Sequence, residues 1–266
     1  MRLEKLLGVT INEKPLDTLV TDGGYTSIFR EIVCVGDSLS SGEFEHIDKD
    51  GKYTFHDKYE YSWGQFIARS AGCKVYNFSR GGMSAKEYML TFADDNNFFD
   101  PSILPSAYII ALGLNDIFML KQEVGSILDK DLDNDTFASW YVKIIKKYKE
   151  INPNANFFFV TIPKESTDNE AITTKKLAHQ KLMYDLTQEF NNSYVIDLYE
   201  YAPIVDEDFK HKFYLEGHMN PAGYRLAGVL ISSYIDYIIR SNFNSFKQVG
   251  FIGTKYYKKE LEENNQ

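Results

Sequence analysis

Ser38 closes a run of apolar and β-branched residues, Glu31-Ile32-Val33-Cys34-Val35, that breaks abruptly into Gly36-Asp37-Ser38-Leu39. A hydroxyl therefore stands where a strand buried on both faces ends. Ligands of open parallel sheets bind outside the carboxyl ends of the strands, so this is a position for a nucleophile. A serine hydroxyl attacks an acyl carbon only when a base takes its proton and donors receive the charge growing on the carbonyl oxygen. Of the five histidines, His218 has the setting of a base: Glu216-Gly217-His218-Met219-Asn220-Pro221 is a loop between the last expected strand and the last expected helix, opening on the same sheet edge. Two further strand ends supply donors. Lys74 to Phe78 breaks into Ser79-Arg80-Gly81-Gly82-Met83-Ser84, and Ala107 to Leu112 breaks into Gly113-Leu114-Asn115-Asp116. The backbone N–H groups of Ser38 and Gly82 and the side-chain amide of Asn115 would then cradle the oxyanion, with Ser38 and His218 as nucleophile and base. On its own segment, Gly36-Asp37-Ser38 also reads as a plain strand-to-helix turn capped by Asp or Ser.

These residues need a scaffold, and the hydrophobic pattern supplies one. Strands are expected at Glu31 to Val35, Lys74 to Phe78, Ala107 to Leu112, Asn156 to Ile162 and Tyr194 to Leu198. Helices alternate with them: Ser62 to Ala71 with Ser62 as N-cap and Gly72 as stop, Phe137 to Lys149, Thr173 to Phe190, and Asn220 to Arg240, opened by Asn220-Pro221. This alternation implies an α/β fold, a five-stranded parallel sheet covered on both faces. Between Ser38 and the first of these helices, Phe44 to His56 reads as a hairpin flap around the two-residue turn Asp50-Gly51, near the nucleophile. Asp48, Asp50 and Gly51 lack the later acidic ligands of a calcium loop, and His46 and His56 have no third partner for a metal. Leu3 to Thr26 reads as an irregular extension packed beside the first core strand, and Lys258 to Gln266 as a frayed polar tail.

No Pro/Gly/Ser-rich linker divides the 266 residues, so one domain is expected: an extension over 1–30, a core over 31–240 and a carboxyl-terminal segment over 241–266. A hydrophobic share of 44% with 25% charged residues excludes a disordered chain. The formal charge of -9 argues against nucleic acid or an anionic membrane surface as partner. The 19 Tyr and 19 Phe must mostly fill the core, and they also supply walls for a pocket. Cys34 and Cys73 lack metal-ligand spacing and read as reduced packing residues in core strands. Met1 to Thr10 is too short for a signal segment and no run is long enough to span a bilayer, so the expected compartment is the cytoplasm.

Gly36-Asp37-Ser38-Leu39, the Asn77 to Gly82 segment, Gly113-Leu114-Asn115-Asp116 and the late His218 resemble, in order and spacing, the four blocks of the SGNH or GDSL hydrolases. The resemblance implies a three-layer α/β/α, flavodoxin-like sandwich with Ser38 as nucleophile, His218 as base, and Ser38, Gly82 and Asn115 as the oxyanion hole. It sets the chain apart from the α/β-hydrolases, since Gly36-Asp37-Ser38-Leu39-Ser40 is not a GxSxG elbow. One position departs: the family usually carries an aspartate three residues before the histidine, and here that residue is Leu215. A main-chain carbonyl near Leu215 would then orient the imidazole, with Glu216, and more remotely Asp206 and Asp208, as side-chain alternatives. The expected activity is a serine esterase acting on a small-molecule ester, removing a short acyl group, acetyl foremost, from a carbohydrate or another small alcohol. A lipid acylhydrolase or an acyltransferase would use the same machinery, and loss of the orienting acid would suit a non-catalytic binding protein. None of these needs a metal or an organic cofactor.

Overall fold

The computed structural model describes residues 8, 12–131 and 134–258, so the expected polar tail beyond 258 and most of the apolar scrap before residue 12 lie outside the described residues. Strands β1 (Glu31–Gly36), β4 (Lys74–Ser79), β5 (Ala107–Ala111), β6 (Asn156–Val160) and β7 (Ser193–Ile196) form one sheet in the order β4-β1-β5-β6-β7, every pair parallel. Counting these five alone, the order is 2-1-3-4-5, the flavodoxin-like winding, and the direction of winding reverses between β1 and β5. Strands β2 (Glu43–Ile47) and β3 (Tyr53–Asp57) pair antiparallel as a separate hairpin.

The alternation of side chains along each strand builds two cores. Val33, Val35, Tyr108, Ile110, Phe157 and Phe159 face one layer, which holds α3 (Phe137–Ile151) and α4 (Glu170–Glu189). Ile32, Cys34, Ile109 and Phe158 face the other, which holds α2 (Trp63–Ala71) and α6 (Pro221–Ser241). Both faces of the sheet are thus buried, and fully covering one such side chain contributes about 1.5–3 kcal/mol. The caps fall where the sequence puts them: Ser62 accepts from the Gln65 N–H, Gly72 ends α2 in the left-handed region, and Asn220 accepts from the Gly223 N–H with Pro221 opening α6.

Several expectations need correction. The hairpin does not turn on two residues: the Asp48 N–H donates to the Lys52 carbonyl, enclosing residues 49–51, and Gly51 has φ 77°. This is the three-residue loop closed by a left-handed glycine, braced by Asp48 Oδ1 accepting from the Asp50 and Lys52 N–H groups. A short helix, α5 (Glu207–Phe213), occupies a stretch too polar to show a helical apolar stripe. The amino-terminal extension is anchored on α6: Val20 and Tyr25 N–H groups donate to Ser233 Oγ and Asp236 Oδ1, and Arg240 pairs with Glu13 and Asp236. Cys73 precedes β4 and is only half-buried. Burial pushes the Cys34 thiol well above its ordinary range and the Cys73 thiol up to about 11, so neither is a thiolate near neutral pH. Among the described residues, no helix is long and apolar enough to cross a membrane.

Candidate active site

Ser38 opens α1 (Ser38–Ser41), a single turn whose N-cap Asp37 accepts from the Leu39 N–H at 3.0 Å. Gly36 permits the tight approach of this turn to β1, because a Cβ there would lie 2.1 Å from Ser40 Oγ. Gly42, at φ 85°, ends the turn and sends the chain into β2. On β1's two neighbours stand the other loops of the crevice. Gly82 follows β4 with φ 71°, a backbone region that favours glycine, and nothing stands within 4 Å of where its Cβ would be. Asn115 follows β5, and its Nδ2 donates to the Met83 carbonyl at 3.1 Å, leaving a second N–H. Asp116 braces the same two loops by accepting from the Ala85 N–H at 2.8 Å, and burial raises its carboxyl to about 6. Beneath Gly113 lies His179, fully buried, whose Nε2–H donates to the Leu112 carbonyl; burial lowers it to about 4, so it stays neutral. It is a support for the Asn115 turn, a role its helical setting in the sequence gave no reason to expect.

His218 lies half-buried between α5 and the start of α6. Its orienting partner is none of the residues around it in sequence. Leu215 donates its N–H to the His218 carbonyl at 2.9 Å with its side chain exposed, and Glu216 is exposed. Asp206 is the N-cap of α5 and Asp208 pairs with Lys212, so both are engaged elsewhere. Instead Nδ1 donates to Glu45 Oε2 at 2.9 Å, and the same oxygen accepts from the Gly217 N–H at 2.7 Å. A carboxylate is thus at the far nitrogen of the imidazole, delivered by β2 from 173 residues away.

The hairpin register explains how. Glu43 and Glu45 are two apart on β2 and share a face, while Phe44 points the other way to pack on Tyr61 and Tyr224. Glu45 lies opposite Phe55 of β3, whose ring meets the His218 ring edge-on at 5.8 Å. On the same face, Glu43 Oε1 stands 3.2 Å from Nε2, an ion-pair contact. His218, Glu43 and Glu45 are only 16%, 13% and 12% exposed, so these charges are little screened. Burial alone would lower the His218 pKa; the hydrogen bonds and charges of Glu43 and Glu45 outweigh it, and the net shift is upward from 6.5. Among the described residues no hydrogen bond joins Ser38 Oγ to His218. Asp37, next to Ser38, feels the His218 charge, and the Tyr224 hydroxyl donates to the Glu43 carbonyl with the Ser38 carbonyl at 3.4 Å. Asp37 itself is pushed up to about 7, chiefly by burial.

Beside this cluster lies an apolar cavity of about 100 Å³, lined by Leu39, Leu114 and Met219 among others. Trp63, Ile162 and Ala227 also line it. Leu39, Leu114 and Met219 adjoin Ser38, Asn115 and His218 in sequence.

A family model for GDSL-like lipase/acylhydrolases matches residues 34–226. No curated protein matches the chain. Solved structures do. A carbohydrate esterase family 2 enzyme plus carbohydrate binding domain from Corynascus thermopiles (Myceliophthora fergusii) is 16% identical with TM-score 0.56, over 79% of this chain and 66% of that one. A family two carbohydrate esterase from Clostridium thermocellum, in complex with cellohexaose, is 14% identical with TM-score 0.56, over 89% and 67%. The native aryl esterase of M. smegmatis is 16% identical with TM-score 0.54, over 78% and 99%. At these identities the likeness is one of fold.

Proposed function

The chain belongs to the GDSL-like lipase/acylhydrolase family, and on that premise we propose that it is a serine esterase that removes a short acyl group, acetyl foremost, from a carbohydrate or another small alcohol. The observation that carries this reading is the Glu45–His218 pair beside the Ser38 turn. Ser38 Oγ gives its proton to His218 Nε2 and bonds to the carbonyl carbon. The carbonyl oxygen, now negative, is received by the N–H groups of Ser38 and Gly82 and by Asn115 Nδ2, each such donor being worth about 3–4 kcal/mol in the transition state. The imidazolium then protonates the oxygen of the departing alcohol, the bond to it breaks, and an acyl-serine remains. Water attacks through the same base; an alcohol in its place would make the reaction a transfer. Glu45 holds the proton on Nδ1 and keeps the Nε2 lone pair for Ser38.

Two features support a carbohydrate as the alcohol. Carbohydrate esterases are among the proteins that share the fold. Tyr53, Phe55, Tyr59 and Tyr61 expose aromatic faces around the hairpin, surfaces on which sugar rings stack. The missing aspartate at 215 was the ground for a non-catalytic binding protein, and a carboxylate on Nδ1 removes that ground. An alkyl fluorophosphonate tests the reading: the wild-type chain should take up one equivalent near neutral pH or above, with the adduct on the peptide containing Ser38. An unlabelled chain would count against catalysis.

The apolar cavity favours a second reading, in which the same machinery cleaves esters of longer acyl chains. Its lining is mostly apolar, and one lost or added methylene in such a pocket changes the rate by about 10- to 200-fold. Ala227→Phe should therefore lower the hexanoate-to-acetate ratio of kcat/KM for nitrophenyl esters about tenfold or more. An unchanged ratio would assign the acyl chain to another surface.

A further inference from the structure

The Glu45 contact explains one ring nitrogen of His218; the other, the one that must serve Ser38, stands against Glu43. We infer that Glu43 is a positioning residue for the base, a latch that holds His218 Nε2 while the ring is an imidazolium and releases it to Ser38 when the ring loses that proton. The inference rests on the esterase reading for its consequence in catalysis, and on geometry alone for the latch.

Neither carboxylate brings a proton to the ring when ionised, so contacts of 2.9 Å at Nδ1 and 3.2 Å at Nε2 are both attractive only if both nitrogens carry one. The arrangement is that of an imidazolium between two anions. Loss of the Nε2 proton turns the Glu43 contact into a repulsion between lone pairs, whereas Nδ1–H keeps its bond to Glu45. The Nε2 lone pair is then better placed on the Ser38 hydroxyl, which has a proton to donate. Two contacts hold Glu43 against the ring. Its carboxylate lies against Gly81, where a Cβ would come within 2.1 Å of Oε2, and its carbonyl accepts from Tyr224. The titratable groups facing His218 are Glu43 and Glu45 from β2 and Asp37 from the end of β1; Phe55 of β3 offers only a ring, Glu216 of its own loop is exposed, and Arg80 beside Gly81 pairs with Glu87. Glu43 is therefore one of two groups that hold the proton on His218.

The sign follows directly. The base works only when neutral, so anything that favours the imidazolium moves the rising limb of the pH–rate profile upward. Glu43→Gln should move the limb of kcat/KM for nitrophenyl acetate down by about one pH unit, within the range a close opposite charge produces, and raise the rate about tenfold at a pH well below the limb. Histidine ring NMR supplies a readout independent of turnover, with His218→Asn identifying the resonance. The His218 midpoint should lie above 6.5 in the wild-type chain and fall by about one unit in Glu43→Gln, and Glu43→Ala should do the same. A midpoint and limb that stay put in both variants, or an even loss of rate at every pH, would overturn the latch. If the wild-type chain hydrolyses no ester, the esterase reading fails by itself, and the NMR midpoint still decides whether Glu43 holds the ring.

Discussion

Ser38→Ala should lose nitrophenyl acetate hydrolysis by about 10⁴-fold or more and take up no fluorophosphonate. The magnitude comes from what the substitution leaves behind. Alanine keeps the backbone N–H, and Gly82 and Asn115 are untouched, so the residual rate over water is that of an oxyanion cradle without a nucleophile. Stability should barely change, since the turn is held by Asp37 accepting from Leu39 and by Ser41 Oγ, which donates to Asp57 with the Ser38 carbonyl at 3.2 Å, none of which needs the Ser38 hydroxyl. Parallel measurements of kcat/KM and of thermal unfolding separate chemistry from folding. A variant that keeps more than a hundredth of the wild-type rate would remove Ser38 from the role of nucleophile.

Glu45→Gln should lower kcat about 10³-fold, with KM changed far less. A glutamine fits the space but is neutral, and its NH₂ end would meet Nδ1 as a donor, favouring the tautomer with the proton on the wrong nitrogen. Turned that way it also gives up both acceptor contacts that Glu45 Oε2 makes, to Nδ1 and to the Gly217 N–H. His218→Ala alone should cost at least a hundredfold, and adding Glu45→Gln to it should cost little more, because an orienting acid has nothing left to orient. Losses that multiply instead, or a Glu45→Gln enzyme within tenfold of wild type, would show that the imidazole is held by something other than Glu45.

The residues proposed to touch the reacting atoms were legible in the sequence for a local reason. Ser38, Gly82 and Asn115 each follow a buried strand at once, so the change from apolar run to Gly, Asp, Ser or Asn marks both the strand end and the chemistry. His218 is singled out by its loop and by the Asn220-Pro221 helix start just after it. Glu45 is not, because an acid is searched for near its histidine and this one is brought in by tertiary structure. The signal present was faint: Glu43 and Glu45, two apart in a hairpin expected near Ser38, must share a face, yet a solvated face looks the same. Helix α5 was missed because its residues, Glu-Asp-Phe-Lys-His-Lys-Phe, carry too few apolar positions to show a period. The extension packs on the core cluster that holds Ile32 and Cys34 of β1, but its polar anchors Asp236 and Arg240 went unread because they look like ordinary polar residues of a long helix.

Because both carboxylates ride on β2, the chemistry depends on the least anchored sheet of the molecule. A lone two-stranded ribbon is marginal in water, and this one is fastened to the body through Phe44, the Ser41–Asp57 hydrogen bond, the Tyr224 hydroxyl on the Glu43 carbonyl and the Glu45 contacts to Gly217 and His218. Warming should loosen it while the five-stranded sheet is still intact, so the molecule would fall silent before it melts.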